Sequence, residues 1–467
     1  MSSYSNASSS ASQASALVHT RCANTFFATS RLPSSCSRHA QGGRLPICLS
    51  ISPPVCFDAR QTSTSEVCST VTPSHWLVLA VDFLPRVGGV STLSHHLADA
   101  LAAKNGASCT VLAPIGSSSV AEAAHYEVCW DTAARPRLRG ALNRALEDRR
   151  ITRLLKALIN ERRITHVLAT HPHYYALPAM LLCKQMGLPF GVYMHGFELR
   201  SALMDTDRRA WQRLVPSSAL ATRSERVRRV GHGSDVVFCN SRYTAALMHS
   251  QAVTCVVGCG LSSCDVASML PYDPDQKKQL QKALGVSDRH ASIVYLGRLV
   301  PSKNVTALLR ALQFLPHAEL FVLGDGPERQ RLLRDAQRFG VGYRVHWLGQ
   351  VDETKKRQLL ASADVMCLPS IECRNGAVEG FGIALLEAMA AGTPVVANRS
   401  GGMVDVVIHK ETGLLCNADD AQDLAAAIES LINDRAMAQS LVAQAQERIR
   451  SHFNWDRVAH RVELALA

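Results

Sequence analysis

The sequence lacks any hydrophobic run long enough to cross a membrane. Hydrophobic residues make up 47% of its 467 residues, yet no stretch reaches the roughly 18 consecutive apolar residues of a transmembrane helix. The longest apolar stretches, such as residues 76–81 and 293–296, have the length of buried strands. No transmembrane helix is therefore expected, and the composition is typical of a globular chain with more than one domain.

Cysteine pairs with the spacing of a metal site are also absent. The chain has 15 cysteines but no Cys-x-x-Cys sequence. Cys255, Cys259 and Cys264 come closest to a cluster, and their spacing fits neither a zinc ribbon nor a zinc finger. We therefore expect reduced, mostly buried thiols in a cytosolic protein.

Residues 1–70 have few acids and show neither helical nor strand periodicity. They are rich in Ser, Thr and Cys, and they hold five Arg against Asp58 and Glu66. The composition predicts a disordered extension, but a transit peptide has the same character. A third interpretation is a misassigned start, with translation beginning near Val71 or Val78 at a codon other than that of Met.

From residue 75 onward, the pattern alternates between buried strands and amphipathic helices. "HWLVLAVDFLP" predicts a strand, "RVGGV" a glycine loop, and "STLSHHLADALAAKNG" a helix with Ser91 as its N-cap and Asn105-Gly106 as its stop. This alternation predicts a parallel sheet that helices cover on both faces. Further strands of this sheet are predicted at residues 109–113, 166–170, 190–195, 235–240 and 254–257.

A second series of the same kind follows a stretch rich in Pro and charge at residues 268–288. Its strands are predicted at residues 293–296, 319–323, 344–347, 364–368 and 394–397, and a helical tail begins near Ala421. The predicted fold class is α/β, with two doubly wound Rossmann-like domains that face a central cleft. The predicted boundaries are an N-terminal domain at 71–265, a linker at 266–290 and a C-terminal domain at 291–467.

The stretch "EGFGIALLEAMAAG" places two carboxylates on either side of a predicted helix start. Because Gly380 and Gly382 are poor helix formers, the helix is predicted to begin near Gly382, with Glu379 before it and Glu387 inside it. The free N–H groups and positive dipole of a helix start suit an anion. Two flanking acids suit a nucleotide diphosphate that carries sugar hydroxyls. Attraction of acids to the helix dipole explains the same pattern equally well.

The stretch "YLGRLVPSKNVTALLRAL" adds positive charge to this picture. A strand runs into Gly297 and Arg298, and a turn containing Pro301 and Lys303 leads into a helix. Both basic side chains are able to reach a diphosphate, the guanidinium as a fork and the ammonium as a point charge. The nearby "LGDGPERQRL" is a glycine turn that indicates only a loop of an α/β fold.

Four stretches, taken in chain order, resemble glycosyltransferase family 4, the group 1 retaining nucleotide-sugar transferases of the GT-B fold. They are "RVGGVSTLSHHLADAL", "MHGFE", "LGRLVPSKN" and "EGFGIALLEAMAAGTPVVANRSGG". The resemblance covers roughly residues 75–460, and residues 1–70 have no counterpart in it. One departure is "GGMVDVV", because the family commonly has Pro-Glu where this chain has Val404-Asp405.

The resemblance implies that a donor diphosphate lies between the two domains. Arg298 and Lys303 would hold this diphosphate and neutralise the charge that grows on the leaving group. Gly88 and Gly89 would allow the first loop to approach the phosphate, because a side chain there would block it. The nucleotide-sugar is a substrate in this family, and neither a cofactor nor a metal ion is expected.

The resemblance also implies contacts with the two sugars of the donor. Glu379 would contact the hydroxyls of the donor sugar, and Phe381 and Gly382 would offer backbone amides. Glu387 would hold the nucleotide ribose through its two hydroxyls. His195, in the sequence "HGFE", would lie beside the donor sugar.

The basic residues are concentrated in the half of the chain that would bind the acceptor. Residues 135–163 hold ten Arg or Lys against three acids, and residues 200–229 hold eight Arg against three acids. This pattern suits an anionic membrane surface or a lipid-phosphate acceptor, or simply a solvated basic face. Nucleic acid is not expected as a partner, because aromatic residues are only 6% of the chain. The expected location is the cytoplasm, with the inner face of the membrane as an option.

The function that the resemblance implies is retaining transfer of a sugar from a nucleotide-diphosphate sugar to a hydroxyl of a glycan or lipid. Two alternatives stay open at this point. A GT-B isomerase of the sugar-nucleotide 2-epimerase type would convert the donor without any acceptor. A non-catalytic nucleotide-sugar-binding protein is expected to lose an acid or base of the donor site, whereas Arg298, Lys303, Glu379 and Glu387 are all present.

Overall fold

A computed structural model defines the fold of most of the chain. It describes residues 73–84, 88–104, 106–114, 125–134, 141–196, 198–200, 223–248, 252–269, 273–283 and 290–467. The predictions for residues 1–70 lie outside the described residues. Residues Thr70–Ala467 form one compact unit.

Parallel strands and the helices between them make up nearly all of the described chain. The strands are β1 (His75–Leu79), β2 (Ser108–Pro114), β3 (Glu127–Asp131), β4 (His166–Ala169), β5 (Phe190–Met194), β6 (Val236–Cys239), β7 (Thr254–Val256), β8 (Ala291–Leu296), β9 (Ala318–Leu323), β10 (Val345–Gly349), β11 (Val365–Leu368), β12 (Val395–Asn398) and β13 (Leu414–Cys416). The helices are α1 (Gly89–Ala102), α2 (Ala141–Arg162), α3 (Ala176–Met186), α4 (Arg223–Gly233), α5 (Arg242–Ala246), α6 (Ser263–Ala267), α7 (Pro274–Ala283), α8 (Val305–Ala311), α9 (Arg329–Arg338), α10 (Glu353–Ser362), α11 (Ile383–Ala390), α12 (Met403–Val406), α13 (Ala421–Asn433), α14 (Arg435–His452) and α15 (Trp455–Leu466).

The strands form two sheets with the same topology. The first has the order β3-β2-β1-β4-β5-β6-β7 and the second the order β10-β9-β8-β11-β12-β13. Every pairing between these strands is parallel. In both sheets the strand order reverses beside the first strand, at β1/β4 and at β8/β11, and such a switch point is where α/β sheets bind ligands. The predicted fold class, two doubly wound α/β domains, is confirmed.

Hydrophobic burial accounts for the strands that the sequence predicted. Residues 76–79 of β1 are fully buried, and so is nearly every residue of β5 and β11, because helices cover both faces of each sheet. Two strands were not predicted. Both β3 and β13 are short edge strands, and the composition of β3, "EVCWD", does not have the apolar run of the central strands.

The start of α1 differs from the prediction. Its N-cap is Gly88 and its first residue is Gly89, and the Gly88 carbonyl accepts the first helical hydrogen bond from the N–H of Thr92 at 2.9 Å. Ser91 is therefore inside the helix, where it is fully buried, and the prediction that it caps the helix was wrong. The helix also ends at Ala102, a few residues before the predicted stop.

The predicted linker contains a helix that is anchored to the second domain. Two polar side chains of α7, Lys277 and Gln281, are buried. The Lys277 ammonium donates to the carbonyls of Ala361 and Ala363 at 3.2 and 2.6 Å. The Gln281 amide donates to the Ser362 carbonyl at 2.9 Å. Polar side chains buried in this way need such partners, so α7 is held firmly against α10 and the start of β11.

The C-terminal end of the chain returns to the first domain. Helix α15 packs against α1, and Lys104 forms an ion pair with Glu463 of α15. The N–H of Leu261 donates to the carbonyl of Phe453 at 2.8 Å. The C-terminal helices therefore tie the two domains together. In the described part of the chain, no helix has both the length and the apolar composition of a membrane span.

The buried Lys277 predicts an unusual pH dependence of stability. Burial lowers its pKa to about 8, whereas the pKa in an unfolded chain is about 10.4. Between these pH values the unfolded chain binds a proton that the folded chain has released, so the folded state gains stability as pH rises. The free energy of unfolding of the wild type, relative to that of Lys277→Met, should therefore increase from about pH 7 to about pH 10. Urea unfolding of both proteins at both pH values measures this, and an unchanged difference contradicts it.

Candidate active site

Loops from the two sheets meet at the carboxyl ends of their strands. Gly88 follows β1, His195 follows β5, and the loop that contains Gly380 follows β11. A Cβ atom on Gly380 would clash with the backbone carbonyl oxygen of His195. The domains thus approach each other backbone to backbone at the positions of the "HGFE" and "EGFG" sequences. Phe197 of the first sequence lies outside the described residues.

The loop that carries Glu379 ends in an open helix start. Gly382 is the N-cap of α11 and has a φ of 98°, a conformation that favours glycine. Within the described residues, no side chain caps the N-terminus of α11, so its first N–H groups are available to a ligand. Phe381 is buried edge-on against Phe453 at a centroid distance of 5.8 Å. The predicted helix start near Gly382 is thereby confirmed.

Two further glycines support this loop from behind. The N–H of Gly402 donates to the carbonyl of Glu379 at 2.9 Å. A Cβ on Gly402 would clash with the carbonyl of Gly380, and a Cβ on Gly401 with the carbonyl of Glu379. The backbone at Glu379 and Gly380 is therefore enclosed between the chain at Gly401 and Gly402 and the carbonyl of His195. This packing fixes the position of the Glu379 backbone in the cleft.

Lys303 reaches the same loop from β8. It ends a 3₁₀ turn, Pro301–Lys303, and forms a largely buried ion pair with Glu379. Arg298 is exposed, and its guanidinium has no partner among the described residues. Its backbone carbonyl accepts a hydrogen bond from Tyr295 at 3.0 Å, which fixes this part of the loop. The two basic residues therefore have different settings, one paired with Glu379 and one free to meet a ligand.

The glycine turn after β9 has a packing role beneath the Arg298 loop. A Cβ on Gly324 would clash with the carbonyl of Gly297, and a Cβ on Gly326 with the carbonyl of Leu299. The N–H of Leu299 donates to the carbonyl of Asp325 at 3.0 Å. The two loops are therefore in direct backbone contact, which the sequence alone did not indicate.

The starts of α1 and α11 face each other across the cleft. A Cβ on Gly89, the first residue of α1, would lie 4.0 Å from the side chain of Ile383, the first residue of α11. Neither helix start has a side-chain cap in the part of the chain that the structure describes. Each carries the partial positive charge of its helix. Together with Lys303 and Arg298, they make this point of the cleft favourable for an anion.

Glu387 is held by a residue that the sequence analysis missed. It accepts a hydrogen bond from the ammonium of Lys356, in α10, at 2.6 Å. Burial raises the pKa of Glu387, although the charge of Lys356 opposes that rise. Lys356 lies in "ETKKRQLL", which has the ordinary composition of a surface helix. Nothing local therefore distinguished it, since its partner is 31 residues away.

The ring of His195 has a defined tautomer. Its Nε2 lies 2.8 Å from the carbonyl oxygen of Thr170, which can only accept, so Nε2 carries the proton. Burial lowers the pKa of His195, so the ring is neutral and Nδ1 keeps a lone pair. This nitrogen is therefore able to accept a hydrogen bond from a hydroxyl group.

Asp405, where the sequence departs from the family pattern, bridges the domains. Its carboxylate accepts a hydrogen bond at 2.6 Å from Nε of Arg242, in α5 of the first domain. A second bridge lies nearby, where Glu372 pairs with Arg200 and accepts from the hydroxyl of Tyr243 at 3.0 Å. Although Asp405 replaces the glutamate that is common in the family, it still places an acid at this position, and that acid has a partner across the cleft.

The described residues hold neither a disulfide bond nor a metal-binding cluster. The ten cysteines within the described residues are free thiols, and burial raises the pKa of Cys259 to about 12. In the same residues, no group of three or more His, Cys, Asp or Glu is arranged to hold a metal ion.

The fold and the cleft define a two-domain enzyme architecture of the GT-B class, and comparisons with known families identify it further. Residues 276–448 match the family model described as glycosyl transferases group 1, and residues 87–260 match the model described as glycosyltransferase family 4. The chain belongs to the group 1 glycosyltransferases of family 4.

Curated relatives differ in how much of their length is matched. A GDP-mannose-dependent monoacylated alpha-(1-6)-phosphatidylinositol monomannoside mannosyltransferase of Corynebacterium glutamicum is 28% identical over 83% of this chain and 96% of its own length. An uncharacterized glycosyltransferase of Methanocaldococcus jannaschii is 30% identical over 40% of this chain, and this chain spans about half, 47%, of its length. A glycogen synthase of Mycobacterium tuberculosis is 36% identical over 36% of this chain and 40% of its own length.

Solved structures share the fold over the same part of the chain. A sucrose-phosphate synthase from Thermosynechococcus elongatus is 22% identical, with a TM-score of 0.66 over 84% of this chain and 98% of that one. The Anabaena protein HepE, solved in complex with UDP and glucose, is 20% identical, with a TM-score of 0.65 and the same coverage. At these identities the likeness shows the fold alone.

Because the chain behind the Glu379 loop is tightly packed, adding one methyl group there should lower the stability of the protein. Gly401→Ala should push the loop at Glu379 out of place, because its Cβ would clash with the Glu379 carbonyl. The φ of Gly401 is positive, at 58°. The variant should lower the free energy of unfolding by about 1–3 kcal/mol. Gly340→Ala is the matched control, because a Cβ there meets no atom within 4 Å although its φ is positive. Chemical denaturation measures both variants. Equal losses for both would show that backbone strain, and not the clash, determines the effect.

Proposed function

We propose that this protein transfers a sugar, with retention, from a nucleotide-diphosphate sugar to a hydroxyl of a glycan or lipid. The observation that carries the proposal is the meeting of two uncapped helix starts with Lys303, Arg298 and Glu379. This combination suits a diphosphate whose leaving group gains negative charge. The family membership supports the reaction class, and the mannosyltransferase relative is named for a GDP-linked donor.

The basic groups of the cleft stabilise the leaving group. As the bond from the sugar C1 to the phosphate oxygen breaks, its electron pair stays on the phosphate, and the nearby cations and helix dipoles compensate the new charge. The acceptor oxygen bonds to C1 on the same face and transfers its proton to the departing phosphate oxygen. This chemistry requires no protein nucleophile and no metal ion, so activity should persist in the presence of EDTA.

The carboxylates and His195 hold the two sugars of the donor. Glu379 accepts hydrogen bonds from the hydroxyls of the transferred sugar, beside the backbone amides of Phe381 and Gly382. His195 offers the Nδ1 lone pair to a further hydroxyl. Glu387 accepts from the ribose hydroxyls while Lys356 holds its carboxylate in place. Each of these side chains is held by a partner in the fold: Glu379 by Lys303, Glu387 by Lys356 and His195 by the carbonyl of Thr170.

The basic first domain binds the acceptor and meets an anionic membrane surface. On α2, Leu142 and Leu146 are 73% and 52% exposed. Arg149 and Arg153 are also exposed and lie on the same face, because the spacing is helical. Leu181 of α3 lies beside these arginines. Exposed leucines among arginines suit the interface of a bilayer that contains acidic lipids.

Removal of the Lys303 charge should reduce catalysis without unfolding the protein. In Lys303→Ala the rate of sugar transfer should fall by about 10²–10³-fold, because a preorganised charge near the leaving group is lost. Arg331→Ala is the matched control, since it removes a cation of the same domain from an exposed ion pair with Asp335. Nucleotide release by both variants and their melting temperatures measure this. A wild-type rate in Lys303→Ala would remove Lys303 from the site.

Loss of the exposed leucines should weaken binding to acidic vesicles. The double variant Leu142→Ser and Leu146→Ser should sediment less with vesicles that contain phosphatidylglycerol, because less apolar area enters the interface. Leu464→Ser is the control, since Leu464 is also 65% exposed but lies on α15. If the wild type sediments no better with phosphatidylglycerol than with phosphatidylcholine, the basic face is a solvated surface and not a membrane site.

The same assays separate the two alternative functions. Formation of a new nucleotide-sugar, without acceptor, would indicate an isomerase. Tight binding of a nucleotide-sugar without any turnover would indicate a non-catalytic binding protein. The non-catalytic alternative does not explain why both acids and both bases of the candidate donor site are present.

A further inference from the structure

Glu198 is a buried carboxylate that the proposed chemistry leaves unused. It is 7% exposed and lies in a helical turn after the loop that carries His195, with the N–H of Arg200 donating to the carbonyl of Gly196 at 3.0 Å. A carboxylate removed from water in this way requires specific partners. Among the described residues, the side chain of Glu198 has two hydrogen-bond partners, His171 and His195, which belong to different loops of the cleft.

The first partner is a histidine in the loop after β4. Nε2 of His171 donates to Glu198 at 2.9 Å. The proton is on this nitrogen because Nδ1 of His171 accepts from the N–H of His173 at 3.3 Å. Burial opposes ionisation of Glu198, but the hydrogen bond from His171 outweighs it, and the pKa of Glu198 lies well below the usual range. Glu198 is therefore a carboxylate that accepts from both sides.

The second partner is the backbone of His195. The other carboxylate oxygen of Glu198 accepts from the N–H of His195 at 3.3 Å. The ring of His195 is fixed separately through Thr170, whose carbonyl it meets at 2.8 Å. Since Thr170 directly precedes His171, the β4 loop holds His195 at two points, its ring and, through Glu198, its backbone.

A displacement of the His195 backbone would also move the loop that carries Glu379. Its carbonyl oxygen lies so close to Gly380 that a Cβ there would clash with it, and Gly380 directly follows Glu379. The backbone of His195 is therefore the surface on which the Glu379 loop rests. Because the Glu198 carboxylate holds the His195 backbone in position, it also determines the distance between His195 and Glu379.

We propose that Glu198 is a positioning residue, which acts through His195 to keep the His195 Nδ1 and the Glu379 carboxylate at the spacing that the donor sugar requires. This inference rests on the proposed function. A helix cap alone would need only the hydrogen bond to the His195 N–H, whereas Glu198 also joins the loop after β4. The pairing with His171 is the feature that a purely structural cap does not explain.

The test is a double-mutant cycle between Glu198 and His195. Glu198→Gln keeps the size of the side chain but offers one acceptor oxygen and one NH₂ group, so one of the two donors loses its partner. The kcat for nucleotide release should fall roughly 10–100-fold, with little change in KM for the donor. The donor is whichever of UDP-glucose and GDP-mannose the wild type turns over. In the His195→Ala background the Nδ1 acceptor is gone but the backbone contact with Gly380 remains, so Glu198→Gln should lower kcat by a clearly smaller factor than in the wild type.

Asp235→Asn is the control for the loss of a carboxylate that accepts from a backbone N–H of the same strand. The exposed Asp235 accepts from the N–H of Phe190 at 2.8 Å, at the opposite end of β5 from His195. This variant should leave kcat near that of the wild type. A similar loss of kcat in both variants, or an equal effect of Glu198→Gln with and without His195, would overturn the inference.

Two further outcomes separate the inference from the proposed function. If His195→Ala lowers kcat and Glu198→Gln does not, the inference fails and the assignment of His195 stands. If His195→Ala itself retains the wild-type kcat, the assignment of His195 and the inference fail together. Should Glu198→Gln not fold, His171→Phe removes the same hydrogen bond from the other partner. Its kcat should fall in the same non-additive way, and an unchanged kcat would again overturn the inference.

Discussion

The close backbone approach at Gly380 is the constraint on which the rest of the cleft depends. The carbonyl of His195 lies on one side of this residue and the chain at Gly402 on the other, and neither leaves room for a Cβ. Because this packing prevents the loop from moving toward either neighbour, Glu379 stays beside Lys303 and the start of α11 stays opposite the start of α1. The geometry of the anion site thus follows from steric exclusion at a few glycines.

Charge arrangement then gives this geometry its chemical character. The two acids of the candidate donor site each have a lysine partner, Lys303 for Glu379 and Lys356 for Glu387, so neither carboxylate repels a nearby diphosphate without compensation. Arg298 and the two helix starts remain available to an anion. Asp405 pairs with Arg242 across the cleft, which keeps the two domains at the spacing that this arrangement requires. The ion pair that joins the two domains, Arg242 with Asp405, is therefore separate from the charged residues of the candidate donor site.

The sequence predicted the fold well because burial on both faces of a sheet leaves a strong local pattern. It failed where the deciding contact lies far along the chain. Lys277 looked like a linker residue, although α10 and β11 bury it. Asp405 looked like a departure from the family, although Arg242, 163 residues away, explains it. Ser91 looked like a helix cap, but the helix begins at glycine. Local sequence was enough to select the motif residues as candidates, whereas the partners that hold them could not be predicted from it.

A donor screen tests the central claim most directly. The full-length protein would be incubated with UDP-, GDP-, ADP- and dTDP-linked sugars, and slow release of the nucleotide diphosphate would be measured for the wild type and for Glu379→Ala. The account predicts release from one donor type and its loss in the variant, since Glu379 is the residue that we propose contacts the transferred sugar. Release at the same rate in Glu379→Ala would contradict it, because the reaction would then take place away from the loop that the whole cleft fixes in position.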